Sequence, residues 1–454
     1  MPDFGTSTLV LLVSVAAGLV FLNALVRIVR RGEWSSAAWM AFLVTIMTSS
    51  LVAMVATYTD AWVPVTDVLR NVTYVLPEWG RTFFQLLEIF VAVAAGSVFV
   101  LGIRKRDAML NVPAILLLVT TFIAMAVAVL HQEFPLRPQS ILYLSILVAA
   151  VVAPRGLGIH IGIATAALVV AVASGVALTT HKDFSVIDCT GGSKCGVLGF
   201  IFRGVLDNEN ALGLFLALAM PFIYMGFGGW QGLVLAAYAL GLVLITGSRT
   251  GSLAAVVTLC VLVVVRPTVR QPVRAPVRSA LLTVGILGVF ILGLFVPFTA
   301  RDATSYSGRA FLWEVARDAL AKPSTLIYGE GMFGWDELRA SGVIDFSAIY
   351  SAHNQWLHVL FSTGLVGLGF FLAAILALFW EARHGYYTVV ACVLIPFFVL
   401  GVTERPWPID TIDWLAWSVP GALLCYPRAR ADSTEEFQRR VPLTEGDGVL
   451  ESIT

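Results

Sequence analysis

Charge is what this chain has least of. Only 13% of its 454 residues are Asp, Glu, Lys or Arg, against about 25% in an ordinary soluble domain. That scarcity argues against a soluble globular protein. Basic and acidic residues balance at 29 each, so no bulk charge draws the chain to a polyanion, and no nucleic-acid partner is expected. A Walker A loop, a Gly-rich dinucleotide turn, a His-Glu-x-x-His and a Cys/His metal cluster are all missing. So is an Asp-x-Asp of the kind that holds a metal and a nucleotide sugar. The simplest expectation is a reaction with no metal, no cofactor and no soluble nucleotide. No internal repeat and no low-complexity domain is visible. The first 26 residues have no basic stretch ahead of their apolar run, so they read as a membrane helix rather than a cleaved signal peptide.

Apolar residues are abundant instead, at 58% of the chain, and mean hydropathy is +0.86. Runs of ~18–22 apolar residues recur, the length that crosses a bilayer core. The expected fold is all-α: a polytopic bundle of about 12–13 transmembrane helices with one large extracytoplasmic loop. The spans fall at 8–26, 37–57, 83–102, 112–130, 139–153, 157–179, 208–226, 230–246, 252–265, 280–299, 353–380, 386–402 and 409–425. Four basic clusters then share one side: Arg27, Arg30 and Arg31; Arg104, Lys105 and Arg106; Arg266, Arg270, Arg274 and Arg278; Arg428 and Arg430. That side should be cytoplasmic. Segments 58–82, 180–207 and 300–352 lie outside. Residues 1–202 form an N-terminal membrane region and 203–425 a candidate catalytic region that includes the loop 300–352. Residues 426–454 form a polar cytoplasmic tail, expected to be disordered.

The long loop contains Ser307–Lys322, "SGRAFLWEVARDALAK". Phe311, Leu312, Val315, Ala319 and Leu320 recur at helical spacing. This helix could lie on the bilayer, cap the bundle, or pack on a core of the loop's own. In "DCTGGSKCG", Cys189 and Cys195 stand six apart on the outer side, where a disulfide is favoured. Cys260, Cys392 and Cys425 sit in apolar spans and read as core residues.

Polar groups at the outer membrane boundary are the informative ones, because a charge inside a span costs ~2.5–3.5 kcal/mol and usually lines a cavity or finds a partner. Arg249 lies in "LITGSRTGSLAA", between Gly247 and Gly251. It is either a turn residue that snorkels to headgroups or an anion ligand approached closely by its partner. Arg203 and Arg309 are further outer-face arginines in apolar surroundings. Three converging arginines would suit a lipid-linked phosphate. Glu88, inside the third span, and Glu404, at the outer end of the twelfth, are candidate counter-ions. His353 opens the apolar run "AHNQWLHVLFSTGLVGLGFF", with Ser351 as an expected N-cap. An imidazole just inside a helix start is disfavoured as a cation, and a neutral one can act as a general base. His358 is ~140° further round that helix and is expected to pack.

Four stretches in order resemble the O-antigen ligase and polymerase superfamily, integral membrane glycosyltransferases of bacterial surface polysaccharides. They are "DNENALGLFLALAMPF" (Asp207–Phe222), "LITGSRTGSLAA" (Leu244–Ala255), "SGRAFLWEVARDALAKPSTLIYGEGMFGW" (Ser307–Trp335) and "AHNQWLHVLFSTGLVGLGFF". The resemblance implies a glycan carried on undecaprenyl pyrophosphate. It would be passed to a hydroxyl on a glycan, lipid or protein acceptor, at the outer face of the bacterial inner membrane. It implies Arg203 and Arg249, with Arg309, at the pyrophosphate, unless Arg309 organises the outer loop. It implies His353 as the base and Asn354 as the residue that orients the hydroxyl. A sugar pyrophosphate is already activated, and arginines can neutralise its leaving group in place of a metal. Base and leaving group on opposite faces of the sugar would invert the anomeric carbon.

Ligase and polymerase remain unseparated by these motifs. Two other readings stay open. A metal-dependent lipid-phosphate sugar transferase would use Asp60 and Asp67. A lipid-linked glycan flippase would tolerate loss of His353, but it predicts a two-halved repeat that is not evident.

Overall fold

The computed structural model describes residues 4–66, 72–104, 110–189, 195–303, 305–344, 352–409 and 418–427. The chain is helical nearly throughout. The helices before the long loop are α1 (Phe4–Arg30), α2 (Ser36–Ser49), α3 (Leu51–Tyr58), α4 (Glu78–Arg104), α5 (Val112–Leu130), α6 (Pro138–Val152), α7 (Leu157–Thr180), α8 (Lys182–Ser185), α9 (Glu209–Phe227), α10 (Gly229–Thr246), α11 (Arg249–Val265) and α12 (Pro276–Thr299). The loop carries α13 (Arg309–Leu320), α14 (Pro323–Tyr328) and α15 (Gly334–Ala340); α16 (Gln355–Ala382), α17 (Tyr387–Leu400) and α18 (Ser418–Leu424) follow.

Among the described residues, eight helices are long and apolar enough to cross a membrane; the pair α2–α3, bent by 54° at its break, makes a ninth if it is taken as one span. Three shorter apolar helices, α6, α11 and α17, join them. This is an all-α, multi-pass membrane bundle. Helices dominate because a backbone in hydrocarbon must satisfy its own hydrogen bonds. The span expected at 37–57 is therefore broken rather than continuous. Of the span expected at 409–425, residues 410–417 lie outside the described residues, as do Lys105, Arg106, and the tail from Arg428 onward.

The centre is set by α7 and α9, which bury 78% and 83% of their most apolar stretches; α12 buries only 17% and leaves the rest exposed. Small residues allow the closest crossings. A Cβ on Gly162 of α7 would stand 2.3 Å from the Ala38 carbonyl of α2.

Two outer segments contain hairpins that the apolar pattern did not signal. β1 (Val63–Thr66) pairs antiparallel with β2 (Val72–Val75), and β3 (Val186–Asp188) with β4 (Phe200–Phe202). Both are short and rich in Val, Ile, Thr and Phe, which suit a pleated surface. The Cys189–Cys195 disulfide lies between β3 and β4, with its Cα atoms 5.8 Å apart.

Ion pairs gather at the two ends of the bundle. At one end Arg270 reaches Glu33 at 3.1 Å, and Arg155 reaches Glu381 at 2.5 Å. At the other end the long loop folds onto α16. Its helix α13 buries Ala310, Leu312, Trp313, Ala316 and Leu320 against Trp335, Leu357, Leu360 and Phe361. So α13 caps the bundle, on a core that the loop shares with α16. Its buried face is rotated from the expected one: Trp313 and Ala316 lie inside, while Phe311 is 41% exposed.

The turn after α14 reaches deepest. Gly364 interrupts α16 with φ 63° and ψ −169°. The carbonyls of Phe361 and Ser362 accept from Glu330 N (2.7 Å) and Gly331 N (3.1 Å), which pins the loop to the kink.

Candidate active site

The site is built where α16 begins. The helix starts at Gln355, two residues later than expected, and Asn354 is its N-cap; Ser351 lies outside the described residues. Asn354 Oδ1 accepts from Leu357 N at 2.8 Å, as a cap should. Its Nδ2 donates to the carbonyls of Gly293 and Val402, both at 2.8 Å. The amide is wholly occupied and wholly buried. Gln355 then clamps the segment after α17: its Nε2 donates to Trp407 O and its Oε1 accepts from Trp407 N, each at 2.8 Å.

His353 therefore stands before the helix, not in its first turn. Its φ is 42°, in the left-handed region, which costs a non-glycine residue about 1–2 kcal/mol. Its neighbours impose this backbone. On one side the Ala352 carbonyl accepts from Trp313 Nε1 at 2.6 Å; on the other, Asn354 is locked by its three bonds. Strain of this kind is often held at functional sites. Here it turns the imidazole toward Glu404. His353 Nδ1 lies 3.2 Å from Glu404 Oε2. A carboxylate can only accept, so in the neutral imidazole Nδ1 carries the proton and Nε2 the lone pair. The His353 side chain is 33% exposed and can meet a ligand.

Glu404 is 5% exposed and its charge is compensated by Arg309, whose Nη2 pairs with Oε1. A buried carboxylate needs such a partner. Arg309 opens α13, so this pair ties the long loop to the end of α17. One residue away, Thr403 Oγ1 meets Thr250 Oγ1 at 3.0 Å. Thr250 follows Arg249, the first residue of α11. The chain thus brings His353, Glu404, Arg309 and the start of α11 to one place. Arg249 is exposed and makes no ion pair among the described residues.

The remaining candidates lie elsewhere. Arg203 is 3% exposed. Its guanidinium sits 4.2 Å from the Tyr74 ring centroid and 4.3 Å from that of Phe184, and Nε donates to Phe184 O. Desolvation lowers its pKa from the ordinary arginine value. Nothing described links it to the His353 cluster. Nearby Asp207 is half-buried before α9, and desolvation pushes its pKa up to about 6. Glu88 is buried in α4 with Oε1 lacking a hydrogen-bond partner, and no arginine pairs with it among the described residues. His358 is wholly buried in α16. Asp60 is exposed, 3.8 Å from His181; Asp67 lies outside the described residues.

Beneath the cluster, an apolar groove of about 160 Å³ runs between α11, α12 and α17. Val257 and Val261 of α11, Gly285 and Ile286 of α12, and Phe398 and Val399 of α17 line it. Val257 is eight residues below Arg249, or about 12 Å along the helix.

Residues 233–372 match the family model described as O-antigen ligase. That range, less than half of the chain, is similar to the O-antigen ligase family. No curated protein and no solved structure matches it. The ligase domain runs from α10 to just past the kink in α16. It holds Arg249, Arg309, His353 and Asn354, whereas Arg203 and Asp207–Phe222 precede it and Glu404 follows it. The family comprises transferases of polysaccharide biosynthesis that work in membranes. Three residues that build the site went unnoticed in the sequence: Thr250, Gln355 and Thr403. Only Gln355 left a trace, as an uncharged polar residue entering a long apolar run.

Proposed function

We propose that the protein transfers a glycan from an undecaprenyl pyrophosphate carrier to an acceptor hydroxyl at the outer face of the membrane. It does so as a ligase or a polysaccharide polymerase. The supporting observation is the cluster itself: a histidine oriented by a buried, arginine-compensated glutamate, beside an arginine left open. The basic clusters on the opposite side of the threading favour an extracytoplasmic site.

In this reading the pyrophosphate meets Arg249 and the polyprenyl chain descends the groove below it. His353 Nε2 takes the proton of the acceptor hydroxyl. The acceptor oxygen bonds the anomeric carbon as the bond to the pyrophosphate oxygen breaks, and undecaprenyl pyrophosphate leaves. Attack from the face opposite the leaving group inverts that carbon. Glu404 stabilises the imidazolium that forms, as carboxylates behind catalytic histidines do. Asn354 and Arg309 are positioning residues: one locks the backbone beside His353, the other holds Glu404 and the loop. Arg203 supports the hairpin of β3 and β4 rather than the pyrophosphate directly, because its guanidinium is enclosed by rings. The transfer step uses no metal. The acceptor is a glycan, lipid or protein hydroxyl.

The test is donor binding and transfer with a defined polyprenyl pyrophosphate glycan. Arg249→Ala is expected to weaken donor affinity at least tenfold, the loss of one charge-assisted contact of about 1.5–3 kcal/mol. Unchanged donor affinity would refute the assignment.

A further inference from the structure

We infer that His131, Glu330 and Glu337 form a divalent transition-metal site that clamps the long loop to the end of α5. His131 caps α5, Glu330 lies between α14 and α15, and Glu337 lies on α15. His131 Nδ1 stands 3.8 Å from Glu330 Oε2 and 3.7 Å from Glu337 Oε2. All three ligand atoms fall within 4.8 Å of one another. The two histidine separations are too long for hydrogen bonds. They are near the spacing of about 3.4 Å expected for neighbouring ligands held tetrahedrally at 2.0–2.2 Å from one ion. Three donor atoms converge without bonding each other.

The local charge points the same way. Arg137 and Arg339 both pair with Asp336, and neither pairs with Glu330 or Glu337 among the described residues. Glu133 adds a further carboxylate, and its buried Oε2 has no hydrogen-bond partner. Excess negative charge around one imidazole is what a bound cation would relieve.

Glu330 is also held in place. Thr325 Oγ1 donates to its Oε1 at 2.7 Å, which leaves Oε2 directed at His131. Such second-sphere bonds orient metal ligands. Its flanking residues, Gly329 and Gly331, have φ of 85° and 87°. A Cβ on either would fall within 3 Å of the α16 or α5 backbone, so no larger residue fits beside it. Imidazole with carboxylates suits zinc or manganese, whereas magnesium and calcium prefer oxygen alone. The ion's role is structural, and this site shares no described contact with the His353 cluster.

The test uses the tag-free, full-length protein in detergent, stripped by chelator and then titrated separately with zinc, manganese and magnesium. Bound metal and thermal unfolding are both read. One zinc or manganese per chain is expected, with a raised unfolding temperature and no comparable effect of magnesium. The Glu330→Gln/Glu337→Gln double variant should lose at least tenfold in affinity. Without metal, Glu337→Gln should unfold no lower than wild type, since it sheds like-charge repulsion; with zinc the order should reverse. Wild type that binds no stoichiometric ion, or a double variant that binds as wild type does, overturns the site.

Discussion

His353 stands outside the helix that follows it. Both Ser351 and Asn354 are capping residue types, so the local sequence allowed two helix starts. Asn354 caps because its remaining donors find the carbonyls of Gly293 and Val402, partners remote in sequence. The imidazole is therefore oriented by Glu404 rather than by a helix end. Asp207 poses a separate question of charge. Its pKa of about 6 lies above the ordinary value near 3.9, so the folded state holds this proton more tightly than the unfolded one. Its contribution is most favourable below about pH 4 and is lost as pH rises through about 6. Asp207→Asn should leave stability unchanged near pH 4 and raise it at pH 7.5 by up to about 3 kcal/mol. Thermal unfolding at both pH values checks this; a variant less stable at pH 7.5 would contradict it. The individual site residues were legible in part. Arg249, Arg309, His353 and Glu404 stood out as polar groups at apolar boundaries. Thr250–Thr403 and Gln355–Trp407 did not, because each pair is distant in sequence and ordinary in type.

The helices were the most legible elements, since a bilayer demands long apolar runs that a sequence cannot hide. The loop was harder. The register of α13 slipped because Ala310 and Ala316 carry little hydrophobic signal, yet they fill the buried face beside Trp313. The turn at Gly329–Gly331 docks on a kink whose cause is one residue, Gly364. A Cβ there would stand 2.2 Å from the backbone of Ile327, at a φ of 63°. Gly364→Ala should therefore loosen the loop from α16 at a cost of about 1–3 kcal/mol or more. Faster proteolysis between α14 and α15 and a lower unfolding temperature would show it. Wild-type resistance in both assays would mean the kink does not hold the loop.

The molecule as a whole places an apolar groove beneath a polar cluster, an arrangement suited to a lipid with a charged head. Gly285 lines that groove, and a Cβ on it would meet nothing within 4 Å. Gly285→Phe should therefore fold normally and fill the space. It should raise KM severalfold for a long-chain polyprenyl donor and leave a short-chain donor unaffected; equal effects on both would remove the groove from the account. The central claim is proton transfer at His353. Asn tolerates left-handed backbone but cannot accept the proton, so His353→Asn keeps the local conformation and removes the base. The decisive measurement is single-turnover transfer by this variant from a defined polyprenyl pyrophosphate glycan, with donor binding measured alongside. We expect donor binding within about twofold of wild type and a transfer rate lower by about 10²–10⁴-fold. Transfer at the wild-type rate would contradict the account.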